Sequence, residues 1–189
     1  MDQIKKHFRY KKVENFLTKE ETKLLLKYTE LCHKINDHNH EPSDGLMHTG
    51  ETAFYGSPIM DSLLLNKCLL MEKHTGVSLY PTYSYWRMYT KGSLLPNHRD
   101  RPACEVSVTV NLGIDKSWPL IVVNKPYDMS PGDALIYLGR ELFHAREPYD
   151  GDWQAQIFLH YVDAEGKHSK EYKDGRKFFG MGVRHRNAI

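Results

Sequence analysis

Residues 85–100 read YWRMYTKGSLLPNHRD. The first half belongs to a longer β-type run, YPTYSYWRMYT (80–90), in which Tyr85, Arg87 and Tyr89 alternate with Trp86 and Met88. Side chains separated by one residue point to the same side of an extended chain. By the same rule His98 and Asp100, just past the GSLLP turn, can both reach one point in space. Further short segments rich in β-branched and aromatic residues follow: VSVTVNL (106–112), PLIVV (119–123), DALIYL (133–138) and AQIFLHYV (155–162). Gly, Pro, Asp or Asn separate them, the signature of an antiparallel sandwich or barrel. In VSVTVNL, period two places Val106, Val108, Val110 and Leu112 on one face.

Upstream the pattern changes to helices. Thr18 followed by Glu21 fits a capping box, in which each side chain satisfies one free backbone N–H at a helix start. Leu24, Leu25, Tyr28, Leu31, Cys32 and Ile35 then recur at helical spacing and predict one apolar face. A polar stretch from about 37 to 56 reads as loop with a short strand near Thr52–Tyr55, and it places His38 and His40 in a solvated turn. A second helix is expected from Ser57, its cap, with Pro58 in the first turn and Gly76 at the end. Met60, Leu63, Leu64, Leu69 and Leu70 make its apolar surface. Two helices followed by many short strands give an α+β domain.

Composition bounds the function. The chain has 189 residues, 40% hydrophobic and 26% charged, which suits one soluble globular domain. A net charge of +2 is too mild to make nucleic acid the main partner. Cys32, Cys68 and Cys104 are an odd, scattered set, a poor disulfide framework, and point to a reducing compartment. The charged start lacks a signal-peptide core, and no apolar run approaches the roughly 20 residues that span a membrane. The cytoplasm is the expected location.

The next informative histidine, His144, comes after three predicted strands, enough for an antiparallel barrel to bring it back to His98 and Asp100. Two histidines and a carboxylate on one face of a metal leave three coordination positions open. Residue type and spacing alone also allow a plainer reading, in which these histidines are hydrogen-bonded structural residues of a β-sandwich binding module.

An ordered set of segments decides between them: YWRMYTKGSLLPNHRD, SVTVNLG, PGDALIYLGRELFHAREP and QIFLHYVD, between Tyr85 and Asp163. In this order they resemble the core of the Fe(II)/2-oxoglutarate-dependent dioxygenases, above all the prolyl hydroxylase-like branch. VENFLTKEET (13–22) is similar to the helix opening of that branch. The resemblance implies a double-stranded β-helix, a jelly-roll or cupin-like barrel with N-terminal helices packed on one sheet. It implies one dioxygenase domain over 1–189, with a helical part to about 79, a core over 80–163 and a basic tail or flap over 164–189. Iron(II) would be held by His98, Asp100 and His144. The cosubstrates would be 2-oxoglutarate and O₂, with ascorbate as a supporting reductant. Tyr89 or Tyr85 would meet the cosubstrate carboxylate. The final segment, basic and Gly-punctuated, reads by itself as either a mobile tail or a flap anchored by Phe178 and Phe179.

One departure stands out. The branch places an Arg or Lys nine or ten residues past the second His, to pair with the distal carboxylate of 2-oxoglutarate. Here Trp153 and Gln154 stand at those positions. Burying a carboxylate without a charged partner is costly. Arg146, two residues beyond His144, is the expected substitute, with Arg87 as a second candidate and Gln154, Gln156 and His160 completing a polar pocket. Arg99, Arg101 and Glu105 flank the triad and are expected at the pocket mouth, facing a polar target such as an amino-acid residue in a peptide or protein, or a free amino acid. An oxygenase on the same barrel that does without 2-oxoglutarate is the rival enzyme reading.

Overall fold

The computed structural model describes Ile4, residues 8–36 and residues 50–181; the loop expected around His38 and His40 lies outside these. Among the described residues ten strands form two antiparallel sheets. The larger contains β1 (Tyr10–Val13), β2 (Thr52–Tyr55), β3 (Leu79–Thr90), β5 (Val106–Ile114), β8 (Ala134–Tyr137) and β10 (Trp153–Asp163), in the order β1-β8-β5-β10-β3-β2. The smaller contains β4 (Leu95–His98), β6 (Leu120–Val122), β7 (Lys125–Tyr127) and β9 (His144–Arg146), in the order β4-β9-β6-β7.

Two helices, α1 (Lys19–Asn36) and α2 (Pro58–Thr75), cover the outer face of the larger sheet. The capping box forms as expected: Thr18 N donates to Glu21 Oε2 at 2.8 Å, and Glu21 N donates to Thr18 Oγ1 at 3.1 Å. The same Glu21 carboxylate takes Lys67 Nζ from α2 at 2.9 Å and so ties the two helices together. Pro58 opens α2, and Gly76 closes it in the left-handed conformation (φ 76°), donating its N–H to Glu72 O. Ser57 occupies the cap position of α2, but its side chain makes no cap hydrogen bond.

The expected apolar face of α1 is only half right. Leu25 is buried, but Leu24, Leu31 and Ile35 are 63%, 53% and 70% exposed. The helix is rotated so that Thr22 and Thr29 face inward instead. Both hydroxyls donate within the helix, to Thr18 O and Leu26 O, so no polar group is left unsatisfied by this burial. On α2, Met60, Leu63 and Leu64 are buried while Leu69 is exposed.

Strand alternation gives the larger sheet two unlike faces. Trp86, Met88, Val106, Val108, Val110, Leu112, Ile157, Leu159 and Tyr161 lie in the core beneath the helices, and Tyr161 Oη donates to Leu64 O of α2. The residues between them in sequence point the other way, towards the smaller sheet: Tyr83, Tyr85, Arg87 and Tyr89 on β3, Ser107, Thr109 and Asn111 on β5, Gln154, Gln156 and His160 on β10. No helix among the described residues is long and apolar enough to cross a membrane.

Candidate metal centre and its barrel

β4 and β9 are short, and their pairing places His98 directly opposite His144. The two rings lie 4.3 Å apart. Each imidazole is turned by a hydrogen bond from Nδ1 to a backbone carbonyl two residues back, Pro96 O at 2.8 Å and Leu142 O at 3.0 Å. In the neutral ring that bond fixes the tautomer and leaves Nε2 with its lone pair outward, and only a protonated ring can also donate from Nε2 to Asp100. Asp100 leaves the end of β4, held by its N–H on Gly139 O at 2.9 Å. Its Oδ1 lies 3.5 Å from His98 Nε2 and 3.4 Å from His144 Nε2. The three donor atoms are all within 4.8 Å of one another.

Burial alone would raise the Asp100 pKa, but hydrogen bonds from His144 and His98 outweigh it and hold the carboxyl well below the usual carboxylate range. The hydrogen bond to Asp100 raises the pKa of His98. The side chains are 36%, 14% and 3% exposed for His98, Asp100 and His144, so the centre opens on the His98 side. Gly139 makes room for it. A Cβ there would sit 2.1 Å from Asp100 Oδ2 and 2.5 Å from Ser107 Oγ.

Two residues beyond His144, Arg146 points into the same barrel and is buried. Its Nη1 donates to Trp118 O and, at 3.5 Å, to Gln154 Oε1, and its guanidinium lies on the Trp118 ring at 4.6 Å. Burial pushes its pKa down to about 10, which leaves it charged at neutral pH. Nη2 is buried with no hydrogen-bond partner, and among the described residues no carboxylate forms an ion pair with it. Gln156 is fully buried, and neither its Oε1 nor its Nε2 has a partner. Buried polar groups are nearly always satisfied. These orphan atoms suit a ligand that supplies both charge and hydrogen-bonding oxygens. A cavity of about 270 Å³ at this end of the barrel is lined by Trp118 and Gln154 together with Ile114, Asp128 and Met129, and not by Arg146 or the triad.

No protein-family profile and no curated protein sequence matches the chain. Solved structures do. A viral collagen prolyl hydroxylase from Paramecium Bursaria Chlorella virus-1, in complex with 2-oxoglutarate, superposes with a TM-score of 0.61 at 11% identity, over 82% of this chain and 96% of that one. HygX from Streptomyces hygroscopicus, with nickel and 2-oxoglutarate bound, gives 0.65 at 13% identity over 86% and 85%. EctD from S. alaskensis, in its apo form, gives 0.69 at 15% identity over 97% and 82%. The chain is a double-stranded β-helix.

The double-stranded β-helix places the remaining candidates in three groups. Tyr89 and Gln154 stand with Arg146 at the Trp118 end; Tyr89 meets the Trp118 ring edge-on at 5.0 Å. Tyr85 is half-buried against Phe158. His160 is elsewhere, against Tyr83 (ring centroids 4.4 Å apart) and 3.0 Å from Ser107 Oγ, so it belongs to the metal end and not to the pocket around Arg146. Burial holds its pKa down to about 4, and the imidazole is neutral.

Several expectations need correction. Arg87 does not serve as a spare cation, because Glu51 takes its Nε at 2.9 Å and its Nη2 as well, while Ser93 Oγ donates to the other Glu51 oxygen. Glu105 is not at the mouth: it is buried, and its Oε2 accepts from Asp163 N at 3.0 Å. Arg101 is committed to Asp174 through two bonds of 2.6 and 2.7 Å. Of the three expected mouth residues Arg99 and Arg101 are exposed, Arg99 lying over the half-exposed Phe143 ring at 4.9 Å. Phe178 is 59% exposed, but Phe179 packs against the core and meets the Tyr172 ring edge-on at 6.0 Å. Polar side chains also hold residues 169–181. Asp174 takes Arg101 and Tyr55, and buried Arg176 donates to Asp61 Oδ2 at 2.7 Å and Thr82 O at 2.9 Å.

Sequence reading passed over Ser107, Gly139, Trp118 and Tyr137, whose ring meets His144 edge-on at 4.9 Å. For Ser107 a signal was present. In VSVTVNL the valines claim one face, and the Ser, Thr and Asn between them leave a polar row on the other.

Proposed function

We propose that this chain is an iron(II)- and 2-oxoglutarate-dependent dioxygenase that hydroxylates its substrate. The observation that carries the reading is one barrel holding both three convergent donors and, two residues along β9, a buried guanidinium that no carboxylate among the described residues neutralises. Two imidazole nitrogens and one carboxylate oxygen suit iron(II), and a three-residue set leaves positions for a chelating cosubstrate and O₂. Trp118 and Gln154 beside Arg146, with Gln156 two residues further along β10, suit the far carboxylate of a dicarboxylic acid, for which a planar guanidinium is the favoured partner.

When bound, iron supplies the activation of O₂ that couples decarboxylation of 2-oxoglutarate to oxidation of the substrate. The protein's part is placement. His98 and His144 present Nε2 because their Nδ1 atoms are held by backbone carbonyls. Arg146 binds the distal carboxylate, and Gln154, Gln156, Tyr89 and Tyr85 line the path from it to the metal. The buried walls exclude water, which strengthens each of these contacts. Arg99 and Phe143 meet the substrate at the open side of the centre. The substrate we infer is an amino-acid residue in a peptide or protein, supported by this cationic and aromatic rim and by prolyl hydroxylases among the structures of the same fold. The whole of 1–189 acts as one domain in this reading, supported by the tie of residues 169–181 to β3 through Arg176. A cytoplasmic setting is supported by three unpaired cysteines.

An anaerobic titration tests this: apo-protein with Fe(II), then 2-oxoglutarate, following the visible metal-to-ligand charge-transfer band. A band that needs both additions and is lost in His144→Ala is the expected result. Iron binding without the band would leave an oxygenase that does not use 2-oxoglutarate. Absence of iron binding would return the chain to the binding-module reading.

A further inference from the structure

Asp100 has two oxygens, and the structure uses them differently. Oδ1 faces both imidazole Nε2 atoms, while Oδ2 lies 2.8 Å from Ser107 Oγ. Ser107 Oγ is also 3.0 Å from His160 Nδ1 and 3.2 Å from Cys104 O. An ionised carboxylate only accepts, so the serine must be the donor in the shorter contact, and it has one proton to give. Bonds to a charged acceptor are the stronger ones, so that proton goes to Asp100 and not to the Cys104 carbonyl. The serine lone pairs then face His160, whose Nδ1 must carry the hydrogen.

We propose that Ser107 and His160 are positioning residues that hold Asp100 to coordination through a single oxygen. Their relay runs in one direction, from His160 Nδ1–H to Ser107 Oγ–H to Asp100 Oδ2. The inference rests on the metal reading above. It is rigid because Ser107 and His160 are direct cross-strand partners of β5 and β10, and Ser107 is flanked on its other side by Tyr137 of β8. Gly139 keeps the space around Oδ2 free of any side chain of its own. For Asp100 to grip a metal with both oxygens, Oδ2 would have to leave Ser107, whose proton would then pass from a charged acceptor to the neutral and more distant Cys104 carbonyl. The count of open positions follows. Two imidazoles and a one-oxygen carboxylate leave three places on a six-coordinate metal, two for the chelating atoms of a 2-oxo acid and one for dioxygen. A two-oxygen grip would leave two.

The test uses the full chain loaded with Co(II) under argon. Ser107→Ala and His160→Leu remove the relay, and His160→Asn keeps an N–H donor near the Nδ1 position. Two quantities are read: the Co(II) dissociation constant, and the carboxylate carbon shell in X-ray absorption, which separates one-oxygen from two-oxygen coordination. The wild type is expected to show one-oxygen coordination. Ser107→Ala and His160→Leu should shift to two-oxygen coordination and bind Co(II) about 10-fold more weakly or worse, the usual scale for losing a group that orients a ligand. His160→Asn should return both readouts to the wild-type side, which a fault in folding would not do. Tight one-oxygen binding in Ser107→Ala and His160→Leu overturns the relay while leaving the metal centre standing. Failure of the wild type to bind Co(II) or Fe(II) overturns both.

Discussion

The two faces of the larger sheet share every backbone atom and differ in almost everything else. Beneath the helices, Val106, Val108, Val110, Leu112, Ile157 and Leu159 are apolar and buried. On the barrel side of the same strands stand Ser107, Thr109, Asn111, Gln154, Gln156 and His160, equally buried and polar. The first face stabilises the fold by removing apolar surface from water, about 25 cal/mol per Å². The second contributes little of that kind, and each of its groups must find a partner. Most do, in Glu51–Arg87 or Ser107–Asp100. Arg146 Nη2 and Gln156 do not, and in the reading proposed above a ligand would supply their partners. Side chains one residue apart on a strand can therefore answer to different demands, stability on one face and chemistry on the other.

Substitutions can break or sharpen that contrast. Asp100→Ala should abolish iron-dependent succinate formation while the circular dichroism spectrum stays that of the wild type; substantial residual turnover would remove Asp100 from the metal. On the opposite face, Leu159→Ala should cost about 2–5 kcal/mol in denaturant unfolding yet leave Fe(II) binding intact at low temperature. Loss of iron affinity with no loss of stability would erase the distinction between the faces. Arg146→Met should raise the 2-oxoglutarate concentration for half-saturation by about 30-fold or more, from losing one partner of a buried charge pair at roughly 2 kcal/mol or above. Its apo melting temperature should hold or rise, because an unpartnered buried charge leaves with it. A lowered melting temperature with unchanged cosubstrate demand would make Arg146 structural. The smallest effect is expected of Gln156→Leu, a few-fold rise in the same half-saturation value, the scale of one neutral hydrogen bond of about 1 kcal/mol.

What the sequence disclosed follows from how local each signal is. The capping box of Thr18 and Glu21 spans four residues, and VSVTVNL shows its alternation within one strand, so both are readable without a structure. The His98 and Asp100 pair is local too. His144 depended on the ordered set of motifs, because β4 and β9 are too short for periodicity to show and their pairing is what brings the rings together. The errors share one cause. Glu105 capping Asp163, Arg101 held by Asp174, and Arg87 held by Glu51 all pair residues far apart in the chain. A charge beside a motif looks free until its distant partner is known. On α1, hydropathy chose Leu24, Leu31 and Ile35, whereas packing chose Thr22 and Thr29, whose hydroxyls are satisfied inside the helix.

Arg146 reaches Gln154, the residue at which the prolyl hydroxylase-like pattern would have its own cation, from a different strand. In the reading proposed above, β9 would deliver the charge that the pattern places on β10. A sequence pattern that counts residues from the second histidine to a fixed basic position passes over such an arrangement, in which a guanidinium from another strand reaches the side chain at that position. Searches for this chemistry gain reach when they ask which strands can point a cation into that corner, and let the spacing vary.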